Sequence, residues 1–267
     1  MYIDVIADYG GKSGRNDLAF SEVLGKISEE LTQNGILEMP YMAPLSVGAF
    51  NDVETAFVIT QLAANSKRGK DHFVFHNTAP RKDDTGARFE NHGESLAVCQ
   101  LPNGVYVIGV NSGHSFSFLR QMTDVYAVKC PNEGTQFRSR DIYPKALAAL
   151  ATFSKTGKPL NEWDLVGDPA QGPAMPEATV LYKDGYGNLK INVTEMPEKD
   201  TVKVKIGNIE KEVFTGRGIF SVEDGEMILA PGSSGWNGKA FLEVVLRGGS
   251  AYKVFGKPKP GTKVDIF

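Results

Sequence analysis

The first apolar run of the sequence, residues 1–7 (MYIDVIA), is followed directly by Asp8-Tyr9-Gly10-Gly11. A carboxylate at the end of a strand, such as that of Asp8, can accept two hydrogen bonds from the vicinal hydroxyls of a ribose, and ligands of open α/β sheets bind at that edge. The alternative is that Asp8 caps the following turn, which the local sequence by itself favours. The GGKSG segment has neither the dinucleotide-binding nor the P-loop spacing, so it does not predict a phosphate site.

Polar segments also follow two later apolar runs. His76-Asn77-Thr78 comes after FVF, and Asn111-Ser112-Gly113-His114 comes after VYVIGV. Because the carboxyl ends of parallel strands meet at one edge of a sheet, we expect both segments beside Asp8. The plainer interpretation of each is a solvated loop with local side-chain caps.

The histidines do not predict a metal site or the catalytic triad of a serine hydrolase. His72 and His76 are too few for a zinc site, and no Glu joins them at metalloprotease spacing. His114 and Ser139 do not predict a catalytic triad, because Ser139 lies outside any GxSxG nucleophile turn. No metal is expected.

Phe137-Arg138-Ser139-Arg140-Asp141 precedes a helical pattern, YPKALAALATF. The amino terminus of a helix favours anions and offers free backbone N–H groups. Ser139 could equally do no more than cap that helix.

Three glycine-containing loops mark the second half. They are Asp184-Gly185-Tyr186-Gly187-Asn188, Gly232-Ser233-Ser234-Gly235-Trp236 and Arg247-Gly248-Gly249-Ser250-Ala251. Each is explained by a tight turn, although glycine also lets the backbone approach a ligand closely.

The elements that would position these residues alternate in type up to residue 157. Strands are predicted at 1–7, 72–77, 95–100, 105–110 and 125–129, with helices starting near residues 17, 52 and 143. The Asn-Gly pair in LPNG predicts a hairpin between the third and fourth of these strands. This alternation predicts an α/β domain over 1–157.

Composition changes after that domain. Residues 158–177 are rich in proline and glycine and predict a linker. Short strand-like runs then fill 178–267, from ATVLYK to AYKVFG, and predict an all-β barrel domain.

Composition excludes several classes of protein. The 267 residues are 41% hydrophobic and 23% charged, which excludes wholesale disorder. A formal net charge of -3 argues against a nucleic-acid or anionic-membrane binder. No apolar run reaches the roughly 20 residues of a membrane span, and acidic residues near the amino terminus argue against a signal peptide. With Cys99 and Cys130 the only cysteines, a soluble, cytoplasmic protein without a disulfide framework is predicted.

In order along the chain, these pieces resemble one family: the S-adenosylmethionine hydroxide adenosyltransferases, with their relatives the fluorinase and chlorinase. The segments that carry the resemblance span nearly the whole chain: ADYG (7–10), NDVETA (51–56), FHNTAP (75–80) with Arg88, 105–113, FRSRD (137–141), DGYGNLKIN (184–192), GSSGW (232–236) and LEVVLRGGSAYKVFG (242–256). DGYGN followed two residues later by IN is the most specific of them.

The resemblance implies an α/β domain followed by a β-barrel, in a homotrimer whose active sites lie between one subunit's first domain and a neighbour's second. It implies attack of a small nucleophile on C5′ of the ribosyl group of S-adenosylmethionine, with methionine leaving and no cofactor. Water gives adenosine, and a halide gives the 5′-halo-deoxyadenosine.

The resemblance also assigns roles to residues. Asp8 would hold the ribose hydroxyls, Asn188 would hydrogen-bond the nucleoside, and Tyr186 takes the place of an aromatic near the ligand. The backbone at Gly248 and Gly249 would read the adenine edge. The remaining substrate-binding positions are Asp184 and Ser234 for the methionine part, Asn51 and Phe137 from the matching segments, and Phe50, which immediately precedes Asn51.

This chain departs from the hydrolytic pattern, in which an Asp, an Arg and a His orient water. Asn77 stands at the Asp position and Arg138 at the His position, while Arg88 is retained. Ser139 replaces a small Gly and matches the serine that fluorinase uses near its halide. Asn51 stands where fluorinase has Trp, with Phe50 one residue earlier. The predicted catalytic set is therefore Asn77, Arg88, Arg138 and Ser139.

Three functions follow from these features. The default is a hydrolase in which Asn77, Arg88 and Ser139 orient water. The second is an adenosyl-halide synthase, or a transferase to another small anion, indicated by Ser139 and Arg138. The third is a nucleoside or S-adenosylmethionine binding protein without catalysis, indicated by the loss of the Asp and His.

Overall fold

The computed structural model describes residues 1–10, 18–79, 86, 93–131, 133–157 and 167–267. The chain divides into two compact units, Met1–Ala174 and Met175–Phe267. Within the described ranges, no helix combines the length and apolar character that crossing a bilayer requires.

The described part of the first unit is built on a six-stranded sheet of order β2-β1-β3-β5-β4-β6. The strands are β1 (Tyr2–Ala7), β2 (Tyr41–Ser46), β3 (His72–Asn77), β4 (Leu96–Gln100), β5 (Tyr106–Val110) and β6 (Tyr126–Val128). The first three and β5 run parallel, and β4 runs antiparallel to both of its neighbours. In the described residues of this unit, four α-helices accompany them: α1 (Leu18–Gln33), α2 (Asp52–Ala63), α3 (Arg138–Asp141) and α4 (Tyr143–Thr156).

Helix α1 forms because its apolar residues recur on one face. Phe20, Val23, Ile27 and Leu31 lie three or four residues apart and are buried with α4 against the sheet face that carries Val5 and Phe75. Helix α2 packs against β1, β3 and β5 and begins at a true N-cap, since Asn51 Oδ1 accepts a hydrogen bond from Glu54 N (2.9 Å).

The predicted α/β pattern is confirmed for most elements of this unit. The strand at 72–77 is found as predicted, and the LPNG segment joins β4 to β5 as an antiparallel hairpin. Strand β2 was not predicted, because Pro44 interrupts its apolar pattern; the proline is tolerated since β2 lies at the edge of the sheet.

A buried polar chain lies at the amino-terminal end of β3. His72 Nε2 is 2.7 Å from Asp4 Oδ2, and His72 Nδ1 is 2.7 Å from Ser66 Oγ. His72 and Asp4 are 1% and 5% exposed. This pairing satisfies both ring nitrogens and the carboxylate inside the fold.

The second unit, every residue of which is described, forms a seven-stranded mixed sheet of order β13-β9-β10-β11-β12-β8-β7. Its strands are β7 (Val180–Lys183), β8 (Leu189–Ile191), β9 (Thr201–Ile206), β10 (Ile209–Thr215), β11 (Met227–Trp236), β12 (Lys239–Leu246) and β13 (Val264–Ile266). Backbone hydrogen bonds from Val180 N to Thr262 O (2.9 Å) and from Val264 N to Ala178 O (2.7 Å) join its two outer edges. The sheet is therefore nearly closed around its apolar core.

One predicted strand of this unit is wrong. The segment AYKVFG contains a four-residue helix, α5 (Ala251–Val254), because Ser250 caps it by accepting a hydrogen bond from Lys253 N (3.3 Å). The last strand, β13, was not predicted.

The predicted linker, 158–177, begins in residues outside those described. Its residues 167–170 bond to β6 and its flank: Ala127 N donates to Asp168 O (2.9 Å) and Ala170 N to Val125 O (2.7 Å). The division between the units falls at Ala174 and Met175. The segment 167–170 thus packs as part of the first unit.

Candidate functional site

The carboxyl ends of four parallel strands converge at one edge of the first sheet. Strand β1 lies between β2 and β3, and the chain passes from β1 to β2 on one side before returning to β3 on the other. Such a reversal of strand order opens a crevice where α/β sheets bind ligands. Asp8 and Asn77 lie at this edge, since Ala7 and Asn77 are paired in register.

Asp8 connects two of these strand ends. Its Oδ2 accepts a hydrogen bond from Phe50 N (2.8 Å), and its own backbone N donates to Asn77 O (3.4 Å). Phe50 has a left-handed backbone (φ 59°), which is strained for a residue with a side chain, and the residue is 53% exposed. The carboxylate therefore holds the loop after β2.

The amino terminus of α2 is tied to the loops after β3 and β5. Asp52 Oδ2 accepts from His114 N (2.7 Å), and Thr55 Oγ1 lies 2.8 Å from Thr78 Oγ1. Ser112 Oγ donates to Thr78 O. No local pattern marks Asp52 or Thr55 as a functional residue, because their partners lie 62 and 23 residues away.

Tyr9 stands next to the predicted catalytic residues Asn77 and Ser139. Its ring makes edge contacts with Phe20 (5.1 Å between centroids) and Phe137 (5.7 Å). Burial raises the pKa of the Tyr9 phenol strongly, and the nearby polar side chains of Ser139 and Asn77 oppose that shift in part. Within the described residues, the buried Tyr9 Oη has no hydrogen-bond partner of standard geometry.

Arg138 and Ser139 start the short helix α3. Ser139 is 3% exposed, and the Arg138 guanidinium lies over the Tyr143 ring at 5.3 Å from its centroid. Burial raises the pKa of Tyr143 to about 12, and the Arg138 charge opposes that shift. Arg138 Nε is buried without a hydrogen-bond partner among the described residues. Arg88 lies outside the described residues.

His76 lies one residue before Asn77 and is fully buried. Neither ring nitrogen has a hydrogen-bond partner in the described part of the chain, and the ring packs on Phe116 at 5.1 Å. A Cβ at Gly109, which faces His76 on β5, would overlap the imidazole. Burial lowers the pKa of His76 to about 3, so the ring is neutral at physiological pH.

In the second unit, Asp184 organises the predicted hairpin turn between β7 and β8. Its Oδ1 accepts from the backbone N–H groups of Tyr186, Gly187 and Asn188 (2.9 Å each), and its Oδ2 accepts from Asn188 Nδ2 (2.9 Å). Tyr186 is 84% exposed at the tip. Asp184 thus fixes Asn188 and presents Tyr186 to the outside of the unit.

The Gly248–Gly249 loop lies against this turn. Tyr252 N donates to Gly187 O (2.8 Å), and a Cβ at Gly187 (φ 90°) would overlap Ser250. Gly248 is also left-handed (φ 73°), with Asp224 against it. The fold therefore brings together the two loops that the resemblance assigns to the nucleoside.

Ser234 lies apart from these two loops within the unit. It belongs to an irregular stretch of β11 that follows Pro231. Pro231 pairs with Leu242 on β12, and Leu242 in turn pairs with Ile191, the last residue of β8. Asn188 precedes the other end of β8, a strand of about 10 Å at 3.3 Å per residue. Ser234 Oγ is buried and has no hydrogen-bond partner among the described residues.

The structure resembles solved proteins over nearly its full length. It matches the crystal structure of an uncharacterized conserved protein from Thermotoga maritima with a TM-score of 0.70 and 18% identity, covering 99% of this chain and 100% of that one. It matches a conserved hypothetical protein from Thermus thermophilus with a TM-score of 0.66 and 17% identity, covering 99% of each chain. No family model and no curated protein matches the sequence. At these identities the likeness shows the fold.

Proposed function

We propose that this protein cleaves S-adenosylmethionine by nucleophilic substitution at C5′ of the ribose, as the hydroxide adenosyltransferases that it resembles do. A lone pair of the nucleophile forms the new bond to C5′ while the C5′–sulfur bond breaks. The bonding pair stays on sulfur, which leaves as the neutral thioether of methionine. With water as nucleophile, the product is adenosine and a proton passes to solvent.

The observation that carries the proposal is the meeting of Asp8, Asn77 and Ser139 at the carboxyl edge of the first sheet, beside the reversal of strand order. Asp8 suits the ribose because a carboxylate accepts two hydrogen bonds from vicinal hydroxyls. The sulfonium is already an activated leaving group, so the site has mainly to position the reactants and exclude water.

Water is the nucleophile of the principal proposal. Asn77 can accept a hydrogen bond from water through its amide oxygen, and Ser139 can donate or accept. Arg88, from the matching segment, completes this set. The arrangement orients a water molecule without a strong base, which suffices because the sulfonium is already activated to leave.

The second unit would supply the nucleoside-reading part. We propose that its nearly closed sheet is a β-barrel of the kind found in this family. Two features support the assignment: the rigid Asp184–Asn188 turn, and the Gly248–Gly249 backbone packed against it. Asn188 would hydrogen-bond the nucleoside, Tyr186 would pack near it, and the protein would act as a homotrimer.

A halide is the second candidate nucleophile. Neutral Asn77 replaces a carboxylate that would repel an anion, and Arg138 carries a buried Nε without a described partner. A cationic group and a serine hydroxyl together favour an anion.

Incubation with S-adenosylmethionine, with and without chloride, bromide or fluoride, separates these functions by chromatography of the products. Adenosine in every buffer supports hydrolysis, and a new nucleoside that requires a halide supports halide transfer. Tight binding without turnover supports a binding protein. If the protein neither binds nor cleaves S-adenosylmethionine, that result contradicts the proposal.

A double substitution tests the assigned positions. Asn77→Asp with Arg138→His restores the Asp and His of hydrolytic members, so adenosine formation should rise. No increase in a folded variant would contradict the equivalence of these positions. Sedimentation equilibrium of the wild-type protein measures whether it is a trimer.

A further inference from the structure

We propose that the Tyr9 hydroxyl donates a hydrogen bond to the attacking nucleophile and, with Asn77 and Ser139, positions it for reaction. This inference rests on the proposed cleavage of S-adenosylmethionine and adds a residue that the predicted catalytic set lacks. Tyr9 is a nucleophile-positioning residue in this proposal, whether water or a halide attacks.

Packing holds the Tyr9 ring in one place. The edge contacts with Phe20 and Phe137 fix it from two directions, at 5.1 and 5.7 Å between ring centroids and interplanar angles of 68° and 88°. Phe20 belongs to the buried core under α1, and Phe137 immediately precedes Arg138 and Ser139. The hydroxyl is therefore carried on a rigid frame beside α3, as a positioning group requires.

The hydroxyl itself has no structural use that the described residues reveal. Its oxygen is buried and makes no hydrogen bond of standard geometry to them. A phenylalanine would keep both ring contacts without burying an unpaired hydroxyl, which destabilises a fold. A buried polar group that the fold does not satisfy is expected to have a ligand as its partner.

The surroundings of the hydroxyl indicate what that ligand is. Ser139 and Asn77 act on the phenol from nearby, and both can hydrogen-bond the same small molecule. Asp8, the proposed ribose ligand, is the adjacent residue in the chain and also acts electrostatically on the phenol. Because burial raises the pKa of Tyr9, the hydroxyl stays protonated and remains a donor at neutral pH. A water molecule or a halide held by Tyr9, Asn77 and Ser139 would lie next to the ribose.

The test compares Tyr9→Phe with the wild-type protein. We expect kcat for S-adenosylmethionine cleavage to fall about 10- to 100-fold, the effect of losing one hydrogen bond to a reacting group. The dissociation constant of S-adenosylmethionine should change less than about threefold, because the phenol does not contact the nucleoside in this proposal. The melting temperature should stay the same or rise.

Tyr106→Phe is the matched control. Tyr106 is a buried tyrosine at the amino-terminal end of β5, away from the carboxyl edge of the sheet, and it stacks on Phe73 at 5.5 Å between ring centroids. It should leave kcat unchanged. Combining Tyr9→Phe with Ser139→Ala should cost less than the product of the single effects, because both groups hold the same nucleophile.

The outcomes separate this inference from the function on which it rests. An active wild-type protein whose Tyr9→Phe variant retains full kcat overturns the role of Tyr9 and leaves the proposed function intact. A lowered melting temperature with unchanged kcat shows a structural hydroxyl and overturns it likewise. A wild-type protein that neither binds nor cleaves S-adenosylmethionine overturns both.

Discussion

The two ends of strand β3 carry two buried histidines in opposite states. At the amino-terminal end, His72 is bound on one side by Asp4 and on the other by Ser66, both at 2.7 Å. At the carboxyl end, His76 is equally buried but has no hydrogen-bond partner in the described residues. The Tyr9 hydroxyl and Arg138 Nε are likewise buried without a hydrogen-bond partner among the described residues.

The difference separates two uses of buried polarity. Where the fold satisfies every polar group, as around His72, the groups hold the structure together. Where several polar groups lie unsatisfied at one sheet edge, the fold bears a cost that a ligand can offset. This contrast supports our proposal that the carboxyl edge of the first sheet is the functional one.

The largest expected effect is on the free energy of unfolding and concerns His72, at the amino-terminal end of β3. His72→Leu removes the partner of the buried Asp4 carboxylate and should lower the free energy of unfolding by about 3–5 kcal/mol. Urea denaturation measures this, and S-adenosylmethionine affinity of the folded variant should not change. A cost below about 1 kcal/mol would mean that the pair does not stabilise the fold.

At the carboxyl end, Asp8→Asn should weaken S-adenosylmethionine binding about 10- to 100-fold, or about 1.4–2.8 kcal/mol. The amide oxygen can still accept from Phe50 N, but the carboxylate that would accept from both ribose hydroxyls is lost. Calorimetric titration measures the affinity, and thermal unfolding checks that the loop is kept. Unchanged affinity would contradict the ribose assignment.

The buried His76 predicts a pH dependence of stability. Its pKa is about 3 in the folded protein and 6.5 when exposed, so the unfolded chain binds the extra proton between these values. The stability contributed by neutral His76 is complete above pH 6.5 and should be lost at about 1.4 kcal/mol per pH unit towards pH 3. His76→Leu is the control and should flatten this part of the profile; an identical slope in the variant would assign it to other groups.

The smallest expected effect concerns Asn51. Asn51→Ala removes the cap of α2 and should lower the free energy of unfolding by about 1 kcal/mol, while Asn51→Ser should restore most of it. Denaturant titration of both variants measures the difference. If the two variants were equally destabilised, the side chain would have a role beyond capping.

Much of the first unit was predictable from local patterns. The sequence signal is strong for four elements, because each is buried on at least one face. These are the apolar runs of β3 and β5 and the helical spacing of α1 and α4. Strand β2 was missed because Pro44 is compatible with a strand only at an edge, which the local pattern does not reveal. The helix α5 was missed because the capping Ser250 outweighs the β-rich composition after it.

For the candidate site, the order of motifs identified Asp8, Asn77 and Ser139, but not Tyr9. A tyrosine in ADYG has no unusual pattern; its significance comes from the polar side chains placed near it and from the absence of a described hydrogen-bond partner. Likewise, the pairing of Asp4 with His72 spans 68 residues and has no local signal.

Local sequence patterns were enough to predict the alternating α/β elements, the later change to short strands, and the order of loops that resembles an adenosyltransferase. These are local properties, set by hydrophobic periodicity, turn residues and motif spacing. The tertiary structure alone decided which polar groups are satisfied and which are not, because hydrogen-bond partners and burial depend on residues far apart in the chain.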